Sequence, residues 1–139
     1  MPDLKEIQEE IIDEFQMFDD WMQRYEYLID LGKSLPLIAE EHKLDENIIK
    51  GCQSRVWLHA EGEKAAVHFR ADSDAILTKG LIALLIRVFD GQPAEAISGA
   101  NLYFLDEIGL KEHLSPTRAN GLLSMVKQMK FYALALQAN

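Results

Sequence analysis

Cys52 is the residue of this chain with the clearest capacity for chemistry, because it is the one cysteine among 139 residues. The thiolate form attacks sulfur, although a free thiol with a pKa near about 8.5 is only partly ionised at neutral pH. Gly51 before it allows backbone angles that other residues avoid, so the loop could present the sulfur or turn it inward. The alternative is a cysteine that only packs, since free cysteine is among the most buried residue types.

Charged neighbours bear on how reactive this thiol is. Lys50 and Arg55 lie within three residues of Cys52, and either could stabilise its anion or remain a solvated surface charge. A hydrolase would instead need a histidine as general base. No histidine has a diagnostic spacing to Cys52, which leaves a Cys-His hydrolase as a minor alternative: the four are His42, His59, His68 and His113.

Arg118 occupies an electrostatically uncommon position, near the start of the predicted last helix, where anions rather than cations are favoured. It could bind a carboxylate or an anionic sulfur, or it could pair with Glu112 or Asp106. Asp72 and Asp74 stand where another helix is predicted to begin, so helix capping is the default explanation for both.

Metal and phosphate sites have no support in the sequence. One cysteine with scattered histidines gives neither a C-x-x-C nor an H-x-x-x-H arrangement, and no glycine-rich phosphate loop is present. We therefore predict no metal site and no cofactor bound by this chain.

The elements that must position Cys52 follow from the apolar spacing. Steps of three and four predict a helix over residues 4–18 and a second helix from Trp21 to Leu31, with Gly32 as its C-terminal stop. A short helical turn is predicted over residues 35–39, where a proline follows a leucine.

Alternating apolar and polar residues predict a β-hairpin near 55–70, with its turn at Glu61-Gly62-Glu63. A hairpin alone is marginal in water, so helices must cover it, and one further short strand could extend it. Cys52 precedes the first strand of this hairpin.

The second half is predicted to be mainly helical. Asp72 or Ser73 begins a strongly apolar helix that ends near Gly91, and residues 92–114 form short helical pieces and turns. Ser115 and Pro116 supply the N-cap and first position of a last helix. Its predicted inward residues are Leu122, Met125, Val126, Met129 and Leu136. We expect a single α+β domain over residues 1–139.

Charge and hydropathy exclude several classes of function. A net charge of −9 argues against binding nucleic acid. Residues 1–46 carry 14 acidic and 4 basic side chains, which predicts either an acidic docking face or two solvated amphipathic helices. The apolar runs are too short for a membrane span, and the N-terminus has no secretory signal, so we expect a cytoplasmic protein.

Four blocks of residues resemble a known family. Gly51-Cys52-Gln53-Ser54-Arg55-Val56-Trp57 is similar to the G-C-Q-S-x-V-W signature of the SufE family of sulfur acceptors. Further blocks are similar to other segments of that family in the same order: residues 28–36, residues 72–75 followed by 79–83, and residues 113–118. The resemblance covers nearly the whole chain.

The resemblance implies a SufE/IscU-like α+β fold and a role in sulfur transfer. Cys52 would take persulfide sulfur from a cysteine desulfurase, stimulate that enzyme, and pass the sulfur to an iron–sulfur scaffold complex. Pyridoxal phosphate would belong to the desulfurase, and no independent turnover is expected of this chain. The implied loop and partner-binding residues are Gly51, Gln53, Ser54, Arg55, Asp74 and Arg118, with Cys52 buried at rest and exposed when docked.

Two alternatives stay open on the sequence. The chain could be an acceptor for a different desulfurase, one that feeds sulfur to other cofactors. It could also be a scaffold on which clusters are built, although a single cysteine argues against that.

Overall fold

A β-hairpin and the helix that follows it lie at the centre of the fold. The computed structural model describes residues 2–138. Two 3-10 turns, Glu40–His42 and Asp45–Asn47, lie between the second helix and the first strand. In chain order the elements are α1 (Leu4–Gln16), α2 (Trp21–Lys33), β1 (Val56–Glu63), β2 (Ala66–Ser73), α3 (Ile76–Phe89), α4 (Ala94–Ser98), α5 (Phe104–Glu107), α6 (Leu110–His113) and α7 (Pro116–Gln137).

The two strands pair antiparallel, with Val56 opposite Ser73 and Glu63 opposite Ala66. Alternation places one side of each strand in the core, where Val67 and Phe69 are buried. The strands are longer than the alternation indicated, so the turn falls at residues 64–65 rather than at Glu61-Gly62-Glu63. The predicted α+β fold with an antiparallel hairpin is confirmed.

Helix α3 is buried on nearly every side and joins the layers of the fold. Helices α1 and α2 pack on one side of it, β2 packs beside it, and α7 contacts both α3 and β1. A helix with so few polar residues must be enclosed in this way, because it has no continuous polar face to offer to water.

Helices α2 and α3 approach each other closely at two glycines. A Cβ atom at Gly32 would lie 2.9 Å from the backbone nitrogen of Gly80, and one at Gly80 would overlap with the carbonyl oxygen of Leu28. Gly32 therefore lies within α2 and is buried there, so its prediction as a C-terminal stop is wrong. Its physical role is to let two helix backbones touch.

The segment between α2 and β1 differs from the prediction. Residues 35–39 do not form a helical turn, because Leu37 makes an isolated parallel bridge to Ala71 of β2. Ile48 makes a similar antiparallel bridge to Trp57 of β1. Within residues 2–138 the sheet has two strands, and single bridges rather than a further strand extend it.

The start of α3 also corrects a prediction. Strand β2 continues through Ser73, and α3 begins at Ile76 with no side-chain cap, so Asp72 and Asp74 do not cap it. Asp72 instead forms two ion pairs. Its carboxylate oxygens lie 2.7 Å from Lys43 Nζ and 3.3 Å from Lys79 Nζ.

The start of α7 agrees with the prediction. Ser115 is the N-cap, its hydroxyl accepts from the Arg118 backbone N–H at 3.2 Å, and Pro116 takes the first helical position. Of the predicted inward residues, three are buried and two are partly buried: Leu122, Met125 and Met129, then Val126 and Leu136. No helix in residues 2–138 has the length and apolar character to cross a bilayer.

Candidate functional site

Cys52 lies in the loop over residues 50–55, which connects the second 3-10 turn to β1. The loop is closed where the Ile49 backbone N–H donates to the Val56 carbonyl oxygen at 2.8 Å. The bridge between Ile48 and Trp57 holds the same stem. The loop is therefore a protrusion with both ends fixed to the hairpin, and Cys52 lies within it.

Gly51 fixes the path of the loop against α7. Its φ is +95°, a conformation that residues with a side chain rarely adopt, and a Cβ there would lie 2.5 Å from Ser124 Oγ. Both the backbone angle and the space beside α7 therefore require glycine immediately before the cysteine.

Gly121 of α7 makes room for the sulfur itself. Cys52 Sγ lies 3.5 Å from the Gly121 carbonyl oxygen, to which the thiol donates. A Cβ atom at Gly121 would already be in van der Waals contact with Sγ at 3.4 Å, so a side chain larger than that of alanine would press on the thiol. Cys52 is partly buried because it rests on the bare backbone of a helix.

A small cavity of about 90 Å³ opens beside the thiol. The loop contributes Cys52, Gln53 and Ser54 to its wall. The rest of the wall comes from α3 and from the beginning of α7: Thr78, Ser115, Thr117, Arg118, Gly121 and Met125. Hydroxyl groups, one guanidinium and one thioether thus surround the sulfur, which gives a mixed polar and apolar chamber.

Burial raises the pKa of the Cys52 thiol above its ordinary value, and within residues 2–138 no neighbouring cation offsets this. The sequence suggested that Lys50 or Arg55 could stabilise the thiolate, and neither side chain is placed to do so. Lys50 lines a separate groove with Lys127, and Arg55 is exposed. The resting sulfur is therefore held as the neutral thiol, which is the less reactive form.

Asp74 holds the outgoing end of the loop. Its carboxylate accepts from the Arg55 backbone N–H at 3.1 Å, and its own N–H donates to the Arg55 carbonyl oxygen at 3.3 Å. The Ser73 hydroxyl donates to the same carbonyl at 2.8 Å. Hydrogen bonds from the β2–α3 junction thus hold the loop at the point where it enters β1.

Arg118 is exposed on the first turn of α7 and lines the cavity, so it lies on the same side as the sulfur. Neither acidic partner considered for it is used: Asp106 pairs with Lys111 at 3.4 Å, and no ion pair of Arg118 with Glu112 occurs in residues 2–138. Its guanidinium remains available to a group entering the cavity.

The predicted site residues fall into two sets. Cys52, Gln53, Ser54 and Arg118 line the cavity, while Gly51, Arg55 and Asp74 set the course of the loop. Sequence reasoning did not single out three further members of the wall or its surroundings, which are Thr78, Gly121 and Ser124. A glycine inside the predicted last helix was the one available signal, because glycine is unfavourable there without a packing reason.

None of the histidines lines this cavity. His42 and His59 stack with ring centroids 4.1 Å apart, and His113 stacks on Trp21 at 3.9 Å. His68 lies 3.3 Å from Asp90. In the part of the chain that the structure describes, Cys52 has no histidine base, and no group of three or more metal-ligating residues is found.

Comparison with known proteins identifies the family of this chain. A family model described as "SufE: Fe-S metabolism associated domain" matches residues 9–133. An uncharacterized SufE-like protein of Rhizobium etli is 44% identical over 127 residues, which cover 88% of this chain and 86% of that protein. The chain belongs to the SufE family, as its resemblance predicted.

Two further relatives extend the comparison. The chloroplastic/mitochondrial SufE-like protein 1 of Arabidopsis thaliana is 41% identical over 130 residues, which cover 93% of this chain and 35% of that longer protein. The solution structure of a hypothetical protein from Thermus thermophilus superposes with a TM-score of 0.80. That match has 19% identity and covers 96% of this chain and 97% of the other, so it concerns the fold.

Proposed function

We propose that this protein accepts sulfur from a cysteine desulfurase onto Cys52 and delivers it to an iron–sulfur scaffold complex. The observation that carries the proposal is the single thiol facing a cavity of about 90 Å³ in a chain of the SufE family. A water molecule needs roughly 10–15 Å³ of such space, so the cavity has room for an added sulfur atom.

The transfer needs no external oxidant or reductant. The Cys52 thiolate attacks the outer sulfur of the donor's persulfide, and a new bond forms between Cys52 Sγ and that sulfur. The donor's sulfur–sulfur bond breaks, and the donor cysteine leaves with the electron pair as a thiolate. The proton of Cys52 passes to solvent or to the leaving thiolate. The sulfane sulfur is thus transferred from the donor cysteine to Cys52, and there is no net oxidation or reduction.

Docking must change the environment of Cys52 before this attack. Burial raises the pKa of the resting thiol, which keeps the attacking form scarce in the free protein. Contacts at Gly51 and Asp74 hold the loop against α7 and the hairpin. A partner that draws the loop outward would rehydrate the sulfur and lower its pKa, so acceptance would be fast only in the complex.

The lone cysteine suits a carrier. A second thiol beside Cys52 would attack its persulfide, form an internal disulfide and lose the sulfur as sulfide. The sequence has no second cysteine. We expect no turnover from this chain alone, since pyridoxal phosphate and cysteine cleavage belong to the desulfurase, and we expect both proteins to meet in the cytoplasm.

Intact-mass measurement tests this function. After incubation with the cognate desulfurase and cysteine, the protein should gain the mass of one sulfur atom, and desulfurase turnover should rise. Cys52→Ser should abolish the gain, because the hydroxyl cannot form a persulfide, while an Arg70→Ala control at an exposed position of β2 should still be loaded. A wild-type protein that stays unmodified in the presence of an active desulfurase contradicts the proposal.

A further inference from the structure

Thr78 is a buried polar residue in an otherwise apolar part of α3, with only 4% of its surface exposed. It lines the cavity beside Cys52. A buried hydroxyl normally finds a hydrogen-bond partner, because leaving it unpaired costs free energy. The position of Thr78 therefore raises the question of what its hydroxyl binds.

The Thr78 hydroxyl has no hydrogen-bond partner among the described residues. Within residues 2–138 it takes part in none of the side-chain hydrogen bonds around the site. Arg24 Nε is the one fully enclosed side-chain polar atom without a partner in this part of the chain, so the Thr78 oxygen keeps some accessible surface. Thr78 is itself part of the wall of the cavity beside Cys52.

We propose that the Thr78 hydroxyl donates a hydrogen bond to the outer sulfur of the Cys52 persulfide and thereby prolongs the life of the loaded protein. The inference rests on the proposed function, since it concerns the sulfur that Cys52 would carry. A persulfide is more acidic than a thiol, so its outer sulfur is an anion that accepts hydrogen bonds. Bonds to ionised acceptors are roughly twice as strong as neutral ones.

The surroundings favour this arrangement over a bond to the empty thiol. The thiol already has the Gly121 carbonyl as its acceptor at 3.5 Å, so it needs nothing from Thr78. An added sulfur would extend from Sγ into the cavity, where Arg118 and the N-terminal turn of α7 supply positive potential. Thr78 is thus a positioning residue. It would bind the outer sulfur when Cys52 carries a persulfide, and it has no role when Cys52 is a free thiol.

Three variants at one position separate the hydroxyl from the shape of the side chain. Thr78→Val keeps the branched shape and removes the hydroxyl, Thr78→Ala also removes it, and Thr78→Ser keeps it. Each protein is loaded with inorganic polysulfide, freed of excess reagent and exposed to dithiothreitol. Intact mass then follows loss of the added sulfur, which leaves as sulfide while dithiothreitol is oxidised to its disulfide.

We expect the half-life of the persulfide to fall about tenfold in Thr78→Val and Thr78→Ala, the factor expected for losing one hydrogen bond to a charged acceptor. Thr78→Ser should stay within about twofold of the wild type, because it retains the donor. The rate at which iodoacetamide alkylates the unloaded thiol should be the same in every variant. Should Thr78→Val fail to fold, Thr78→Ala against Thr78→Ser gives the same comparison.

Equal half-lives in wild type and Thr78→Val would overturn the inference. So would a serine variant that loses sulfur as fast as the valine variant, since the methyl group and not the hydroxyl would then matter. A wild-type protein that polysulfide cannot load would overturn it as well. Loading in this way needs no desulfurase, so failure of transfer from the desulfurase would defeat the proposed function and leave this measurement standing.

Discussion

The interface between α1, α2 and α3 differs sharply from the site between the Cys52 loop and α7. In the first region Arg87 binds both Glu14 and the Tyr27 hydroxyl, with its Nη1 2.9 Å from each, and Tyr27 also donates to Glu14. The ring of Phe15 packs edge-on against Tyr27 with centroids 5.5 Å apart. Glu14, Tyr27 and Arg87 thus form a mutually paired group beside a packed aromatic ring.

The second region has a cavity where the first has packing. Cys52 makes one long contact to a carbonyl, the Thr78 hydroxyl has no partner within residues 2–138, and Arg118 pairs with no acid in that part of the chain. Regions that open locally are expected to have fewer buried contacts than the rest of a fold. The contrast teaches that paired and packed groups hold the helices together, while the site has unpaired groups around a cavity.

The pKa values of Glu14 and Tyr27 reflect the pairing of polar groups between α1, α2 and α3. The hydrogen bond from Arg87 is the main cause that lowers the pKa of Glu14, and burial is the main cause that raises the pKa of Tyr27 to about 12. Glu14 therefore contributes stability above its unfolded pKa that is lost as pH falls through its folded value. Tyr27 contributes stability below its unfolded pKa that is lost as pH rises towards about 12.

Arg87→Ala is expected to have the largest effect, and it should act on stability alone. Removing the guanidinium leaves Glu14 and Tyr27 without their shared donor, so the free energy of unfolding should fall by about 2–3 kcal/mol in urea titration. Arg70→Ala is the matched control, because its pair with Glu61 at 3.5 Å is exposed and should change stability by less than about 0.5 kcal/mol. Faster alkylation of Cys52 in folded Arg87→Ala would show that the two regions are not separate.

Gly121→Val is expected to have an intermediate effect, and it should act on the site. The Cβ atom alone would already be in van der Waals contact with Sγ at 3.4 Å, so the methyl groups beyond it would press on the thiol and move it away from the carbonyl. We expect alkylation of native Cys52 by iodoacetamide to accelerate about fivefold, the factor expected for losing a weak hydrogen bond. Asn120→Val, at an exposed neighbour on the same helix, should leave the rate unchanged. An unchanged rate in Gly121→Val would mean that the thiol does not rest on α7.

The pH dependence of alkylation should give the smallest effect. Burial raises the pKa of native Cys52, so the rate should reach its midpoint at a higher pH in the folded protein than in urea. By linkage, this group contributes stability below its unfolded pKa that is lost as pH rises through its folded pKa. Identical midpoints in the two states would mean that the site is as hydrated as the unfolded chain.

Local signals in the sequence were enough to predict much of the fold. Ser115 and Pro116 specify the start of α7 through their own side chains, and the alternation around Val67 specifies the buried face of β2. The predictions that Gly32 ends α2 and that Asp74 caps α3 were wrong for one shared reason. Their roles depend on a partner far along the chain, the backbone of Gly80 for one and the N–H of Arg55 for the other.

The candidate site was only partly predictable for the same reason. Cys52 and its loop were visible because they form one contiguous motif that resembles a known family. Thr78 was not visible, because a threonine inside an apolar helix carries no sign of what it faces. Its place in the cavity wall depends on α3 and α7 meeting there, which is a property of the tertiary structure.

The backbone contact between α2 and α3 at Gly32 and Gly80 has a kinetic consequence. Two helices whose main chains touch cannot slide past each other without collision, so we expect α2 and α3 to move together as one rigid unit. The loop over residues 50–55 is then the part of the site that can move without disturbing this unit. We expect its motion to fall in the nanosecond-to-microsecond range that is usual for loops, without slower rearrangement of the helices.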